Sequence, residues 1–181
     1  FVIPLLSGHI GGANEIARKI AHEINAQSVI TTATDINGLF AVDEWATKNN
    51  VHIGSMYAAK EVASALVDNE IVGLISKYEV IGDLPKGIVR NKNTRVGMTI
   101  GDNDELEPFA VTLNLMPRIY YLGIGCRRDK ALEDIEQLVL SQLSELKINI
   151  KAIAGIASVD LKKNEKGLLA FAEKHRLSTS F

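Results

Sequence analysis

The stretch Ser7-Gly8-His9-Ile10-Gly11-Gly12 places one imidazole among three glycines. Glycines let a ligand come close to the backbone. Residues 1–6 form an apolar run without alternation, as in a strand covered on both faces. From Ala13 the apolar residues Ile16, Ala17, Ile20, Ala21 and Ile24 fall on one helical face. The glycines therefore lie between a strand's carboxyl end and a helix's amino end, where unpaired N–H groups attract a carboxylate or phosphate. Ser7 and Asn14 flank this turn, and His9 is its one titratable side chain. Residues 27–32 read as a second strand, parallel to the first because a helix joins them. Thr31, Thr32, Thr34, Asp35 and Asn37 follow at its carboxyl end. In an open parallel sheet such loops share one rim, so these residues are expected to converge with His9 and Asn14 around an anionic ligand.

The same grammar recurs near the other end. Residues 119–124 are a fully apolar strand, followed by Gly125, Cys126, Arg127 and Arg128. Asp129 is placed to cap a helix with Leu132, Ile135, Leu138, Val139, Gln142, Leu143 and Leu146 inward. Residues 151–157 supply a parallel partner, then a turn carries Ser158, Asp160 and Lys162 into a helix over 168–175. Ligand contacts on this second rim would come from Arg127, Arg128, Ser158, Asp160 and Lys162.

Between these parts, residues 39–48 read as a helix with Phe40, Val42, Trp45 and Ala46 inward. Ser55 can cap another helix to about residue 68, its inner side Met56, Ala59, Val62, Ala63, Leu66 and Val67. Short strands are predicted at 71–76, 95–100 and 109–115, divided by Gly and Pro turns and by the acidic loop 101–105. That loop lacks the spacing of a calcium loop and is expected to be a solvated turn. The fold class is α/β, with short parallel sheets flanked by helices in separate N- and C-terminal units and a less regular α/β middle region. The corresponding domains are 1–50, 51–116 and 117–181, the last two divided at Pro117.

Composition bounds the function. With 181 residues the chain can bury a sizeable core, and 46% hydrophobic with 23% charged residues is ordinary for a globular protein. Acids (22) nearly balance bases (20), so the net charge of −2 gives no global field for nucleic acid. No apolar run approaches the roughly 20 residues that span a bilayer, and the start has no signal-peptide features. A single cysteine, Cys126, suits a reducing cytoplasm. No Cys/His spacing supports a zinc or iron–sulfur site. Cys126 is expected to be a packed small residue, although two cations beside it could lower its pKa. His22, His52 and His175 are expected to be solvated, and Trp45 and the methionines to belong to the core. A central strand starting at residue 1 without a methionine, and an end at L-S-T-S-F just after a helix, read as cuts through a larger protein.

Four blocks carry a resemblance: L-L-S-G-H-I-G-G-A-N-E-I-A, I-T-T-A-T-D-I-N-G-x-x-A-V-D-E-W-A, L-G-I-G-C-R-R and I-A-S-V-D-L-K-K-N-E-x-G-L. Together and in this order they closely resemble the cobalamin biosynthesis protein G family, the cobalt-precorrin-5A hydrolases. The middle portion matches in position only. The resemblance implies the end of an N-terminal domain, a middle domain and most of a C-terminal domain. It implies a hydrolase of anaerobic cobalamin synthesis that opens a ring A δ-lactone and releases acetaldehyde. On that reading His9 is the general acid or base, Gly8, Gly11 and Gly12 offer N–H donors, and Thr34 and Asp35 position the water or the imidazole. Arg127 and Arg128 would hold carboxylate arms, or else pair with acids of a neighbouring domain. The implied partner is a cobalt-containing tetrapyrrole substrate, with no cofactor of the protein's own, no nucleic acid, no membrane, and a homodimer as an open option.

Rival readings are a phosphate- or nucleotide-binding α/β module and a non-catalytic corrinoid carrier or assembly subunit. The first lacks both G-x-G-x-x-G and a P-loop lysine. Thr34 and Asp35 could also simply cap the following helix, and His9 could stabilise its own turn.

Overall fold

The structure, a computed structural model, describes residues 1–2, 13–29, 39–91 and 93–181. The chain divides into two compact units, Phe1–Gly101 with Leu106–Leu115, and Asp102–Glu105 with Met116–Phe181.

In the first unit, Val2 and Ser28 form a parallel bridge, with Val2 N donating to Gln27 O (2.9 Å) and Val29 N to Val2 O (2.8 Å). Helix α1 (Ala13–Glu23) buries Asn14, Ala17 and Ala21. Ile16, Ile20 and Ile24, expected to face inward, are exposed. Both rows satisfy the helical period, so spacing alone could not choose between them. Helix α2 (Val42–Lys48) follows, with Phe40 and Trp45 in tilted ring contact at 6.0 Å.

Strand β1 (Val51–Ile53), helix α3 (Met56–Val67), β2 (Val72–Ser76), β3 (Ile88–Val89), β4 (Val96–Ile100) and β5 (Val111–Pro117) complete this unit's framework. One five-stranded sheet, in the order β1-β5-β4-β2-β3, organises the region that the sequence left less regular. The β2·β3, β2·β4 and β4·β5 pairs are parallel. Ser55 caps α3 as expected, its hydroxyl accepting from Ala58 N at 3.2 Å. Met56 and Val67 are exposed, and the inner face is Ala58, Ala59, Val62, Ala65 and Leu66. That face meets Val72, Leu74, Val96, Met98, Leu113 and Leu115 in one core, against which Leu39, Phe40, Val42 and Trp45 also pack. On the sheet's other face Gly73 and Gly97 are register partners, and a Cβ on either would run into the Phe109 ring.

The second unit holds β6 (Tyr120–Gly123), helix α4 (Leu132–Glu145), β7 (Ile153–Ala157), helix α5 (Lys166–His175) and β8 (Ser178–Ser180). Its three-stranded sheet runs β6-β7-β8, all parallel. Ile135, Val139, Leu143, Ile153, Ile156, Leu168 and Phe171 make its core. Thus S-T-S, read as a tail, is a third strand: Ser178 pairs with Gly155, which has no side chain to block it.

Two further expectations are corrected here. The acidic loop is not a free turn, since Asp102 is buried and the loop is tied to residues 147–149. Asn103 donates to Lys147 O (2.8 Å), and Asn149 donates through its side chain to Asp104 (3.0 Å) and through its amide to Asp102 O (2.8 Å). His175 is not solvated either. Its ring contacts Phe171, with centroids 4.7 Å apart, and its Nε2 lies 2.7 Å from Glu136, which also accepts from Lys174 at 2.7 Å.

Candidate functional site

Of the first predicted rim, Ser7, Gly8, His9, Gly11, Gly12, Thr31, Thr32, Thr34, Asp35 and Asn37 lie outside the described residues. Asn14 is described, buried in the first turn of α1.

The second rim is fully described. Strands β6 and β7 are neighbours in a parallel sheet, so the loops leaving their carboxyl ends, residues 124–131 and 158–165, lie side by side. Ser158 joins them: its hydroxyl donates to Ile124 O at 2.6 Å, and its amide to Ser180 O at 3.0 Å. Ile124 N donates to Ala157 O at 3.1 Å. The rim is therefore closed by backbone pairing together with the Ser158 hydroxyl.

Glu165, which the sequence reading passed over, fixes the two loops to each other. It is only 8% exposed. One carboxylate oxygen accepts from Lys162 Nζ (3.0 Å) and the other from the Asp129 amide (3.0 Å). The Lys162 hydrogen bond, helped by that amide and the Arg128 charge, lowers the Glu165 pKa from its ordinary value, against partial burial that pushes it up. Lys162, predicted as a ligand contact, is thus engaged in holding the rim. Asp129 does not cap α4. Its backbone is left-handed (φ 56) and its amide is taken by Glu165, so the helix starts at Leu132 with Ala131 as N-cap. Gly167 completes the closure, because a Cβ there would collide with Lys130 O.

Arg127 and Arg128 project from this braced loop and are exposed, and Arg127 makes no ion pair among the described residues. Asp160 is exposed at the start of a 3₁₀ turn. Lys130 is held by Asp134 at 2.7 Å. Cys126 is half-buried and packs against the unit's core, as a small apolar residue does. Arg127, Arg128, Ser158, Asp160 and Lys162 therefore come together on one edge.

Beside the rim runs a groove of about 560 Å³ between β6 and α4. Leu138 and Leu146, assigned to the helix's inner face, line it at 64% and 67% exposure, with Tyr121 at 64% opposite. A leucine at helical spacing reads as core, so no signal in the sequence marked this wall. In the first unit a second cavity, about 740 Å³, opens past the carboxyl ends of β2 and β3, with Ser76, Glu79 and Arg90 in its lining. The buried Thr99 hydroxyl donates to Asn114 across β4 and β5. Among the described residues no group of three or more His, Cys, Asp and Glu is placed to hold a metal ion, and no helix is long and apolar enough to cross a membrane.

Parallel sheets flanked by helices define an α/β protein, a class in which ligands generally bind at the carboxyl ends of the strands. Residues 1–35 match the family described as cobalamin synthesis G N-terminal, and residues 120–181 match cobalamin synthesis G C-terminus. The chain belongs to the cobalamin biosynthesis protein G family. It is 35% identical over 183 residues to a cobalt-precorrin-5A hydrolase of Salmonella typhimurium, a match covering 94% of this chain and 52% of that protein. It is 30% identical over 194 residues to a cobalt-precorrin-5A hydrolase of Priestia megaterium, covering 96% of this chain and 51% of that protein. The chain spans about half the length of these curated relatives.

Proposed function

We propose that this chain is part of a cobalt-precorrin-5A hydrolase. The observation that carries the reading is its 35% identity, along 94% of its length, to a protein of that name. In the reaction, water adds to the lactone carbonyl and the ring C–O bond breaks, leaving a carboxylate and a hydroxyl. Loss of the hydroxyl proton then drives carbon–carbon cleavage. Acetaldehyde leaves, and the bonding pair returns to the macrocycle, where it is protonated.

His9 is the general acid or base of the reaction, and the amides of Gly8, Gly11 and Gly12 stabilise the oxyanion. Thr34 and Asp35 orient the water or the imidazole, while Ser7, Asn14, Thr31, Thr32 and Asn37 line the substrate. Arg127 and Arg128 receive carboxylate arms, for which a guanidinium fork is suited. Ser158, Asp160 and Lys162 shape the rim beside them. The cobalt belongs to the substrate.

Replacing His9 with Ala in the complete protein is expected to lower acetaldehyde release by on the order of 10²–10⁴, the usual scale of general acid–base catalysis, with the circular dichroism unchanged. Undiminished turnover would remove His9 from the mechanism. Corrinoid binding without any aldehyde from the unsubstituted protein would make it a carrier.

A further inference from the structure

We propose that the groove between β6 and α4 seats the apolar face of the cobalt tetrapyrrole, with Arg127 at its mouth taking a carboxylate arm; the inference rests on the hydrolase reading for its ligand class. Four observations converge on it. The walls are apolar side chains that the unit's own core leaves uncovered, Tyr121 across from Leu138 and Leu146. The floor is bare, because Gly123 and Gly125 line the groove and a Cβ on either would meet nothing within 4 Å. A flat ring needs such a surface. The charge at the mouth is also selective. Lys130 is already neutralised by Asp134 at 2.7 Å, whereas Arg127 makes no ion pair among the described residues.

The last observation is rigidity. Arg127 sits on the loop that Glu165 grips at the Asp129 amide and that Gly167 approaches at Lys130, so the backbone that carries it is held before the ligand arrives. Preorganisation of this kind raises affinity by lowering the ordering cost of binding. The volume, about 560 Å³, lies within the roughly 300–1,000 Å³ of small-molecule sites. A macrocycle with apolar faces and carboxylate arms complements both the walls and the Arg127 guanidinium.

The test titrates the chain with dicyanocobyrinate, a polycarboxylate corrinoid, and follows visible absorbance. Gly123→Leu adds a bulky apolar side chain to the groove's lining, at a position where a Cβ meets nothing within 4 Å and whose φ is not positive. This variant is expected to raise Kd at least tenfold with an unchanged Tm. Arg127→Ala should do the same, and Leu138→Asp likewise. Leu161→Asp, at an exposed residue outside the groove, should bind as the unsubstituted chain does. The proposal is overturned if the unsubstituted chain does not bind, or if it binds and Gly123→Leu binds equally well. It is also overturned if Gly123→Leu instead abolishes a self-association seen by sedimentation while leaving Kd alone, which would make the groove a seat for a second copy. Acetaldehyde release by the complete protein reports on the hydrolase reading independently of all these outcomes.

Discussion

A carboxylate with little solvent access needs donors for both oxygens, and Glu165 finds them on two separate loops, at Lys162 and at the Asp129 amide. The Lys162 bond is the foremost reason that its pKa is lowered. The consequence for pH follows from linkage. When the folded pKa lies below the unfolded one, about 4.3 for glutamate, the unfolded chain binds more protons between the two values, so stability rises with pH there. The contribution is fully present above the unfolded value and is lost as pH falls through the folded one. Glu165→Gln keeps the shape but removes the charge and one acceptor. It is expected to lower the unfolding temperature of the second unit at pH 7 and to flatten its decline between about pH 5 and pH 3. Thermal melts across that range check both, and an unaltered slope would mean that the Glu165 carboxylate does not govern the rim's stability. Glu136, lowered by Lys174 and then His175, adds to acid sensitivity in the same direction and supplies the residual slope.

At the scale of elements, Ser55 offers a direct check, because its side chain satisfies an amide at the start of α3. Ser55→Ala is expected to cost about 1 kcal/mol, read as a lower denaturant midpoint with an unchanged slope. That cap was legible because a serine preceding a helical pattern has a specific physical role. The buried strands were legible for a related reason: the predicted 71–76, 95–100, 119–124 and 151–157 correspond to Val72–Ser76, Val96–Ile100, Tyr120–Gly123 and Ile153–Ala157. What escaped were pieces whose conformation is imposed by a neighbour. V-H-I, I-V and S-T-S are too short or too polar to announce a strand, and they become β1, β3 and β8 at the ends of their sheets. Helix faces failed similarly, since Leu138 has the same spacing as Ile135 and Val139 yet stays exposed. On the second rim the sequence placed Arg127, Arg128, Ser158, Asp160 and Lys162 correctly at adjacent loop ends. It could not reveal that Lys162 is committed to Glu165, because that depends on where the chain turns between them.

For the molecule as a whole, the decisive feature is that each compact unit has its own apolar core, one centred on Val62, Val72, Val96 and Leu113, the other on Ile153, Ile156, Leu168 and Phe171. The side chains of one cluster are absent from the other, so a cavity cut in one should cost stability where it is cut. Phe171 is the bulkiest of the fully buried side chains, and its ring contacts that of His175. Phe171→Ala is expected to destabilise that unit by about 3–5 kcal/mol, the usual range for truncating a buried aromatic residue. Native-state hydrogen exchange can locate the loss. Protection of the Ile153 and Ile156 amides should fall by the corresponding factor, while Val62 and Leu113 keep theirs, because exchange reports the free energy of the cooperative unit to which an amide belongs. Equal loss at Leu113 and Ile156 would mean that the two cores open as one cooperative unit. Retention at Leu113 would mean that each core can be altered without unfolding the other, so that a substitution in one unit reads out on that unit alone.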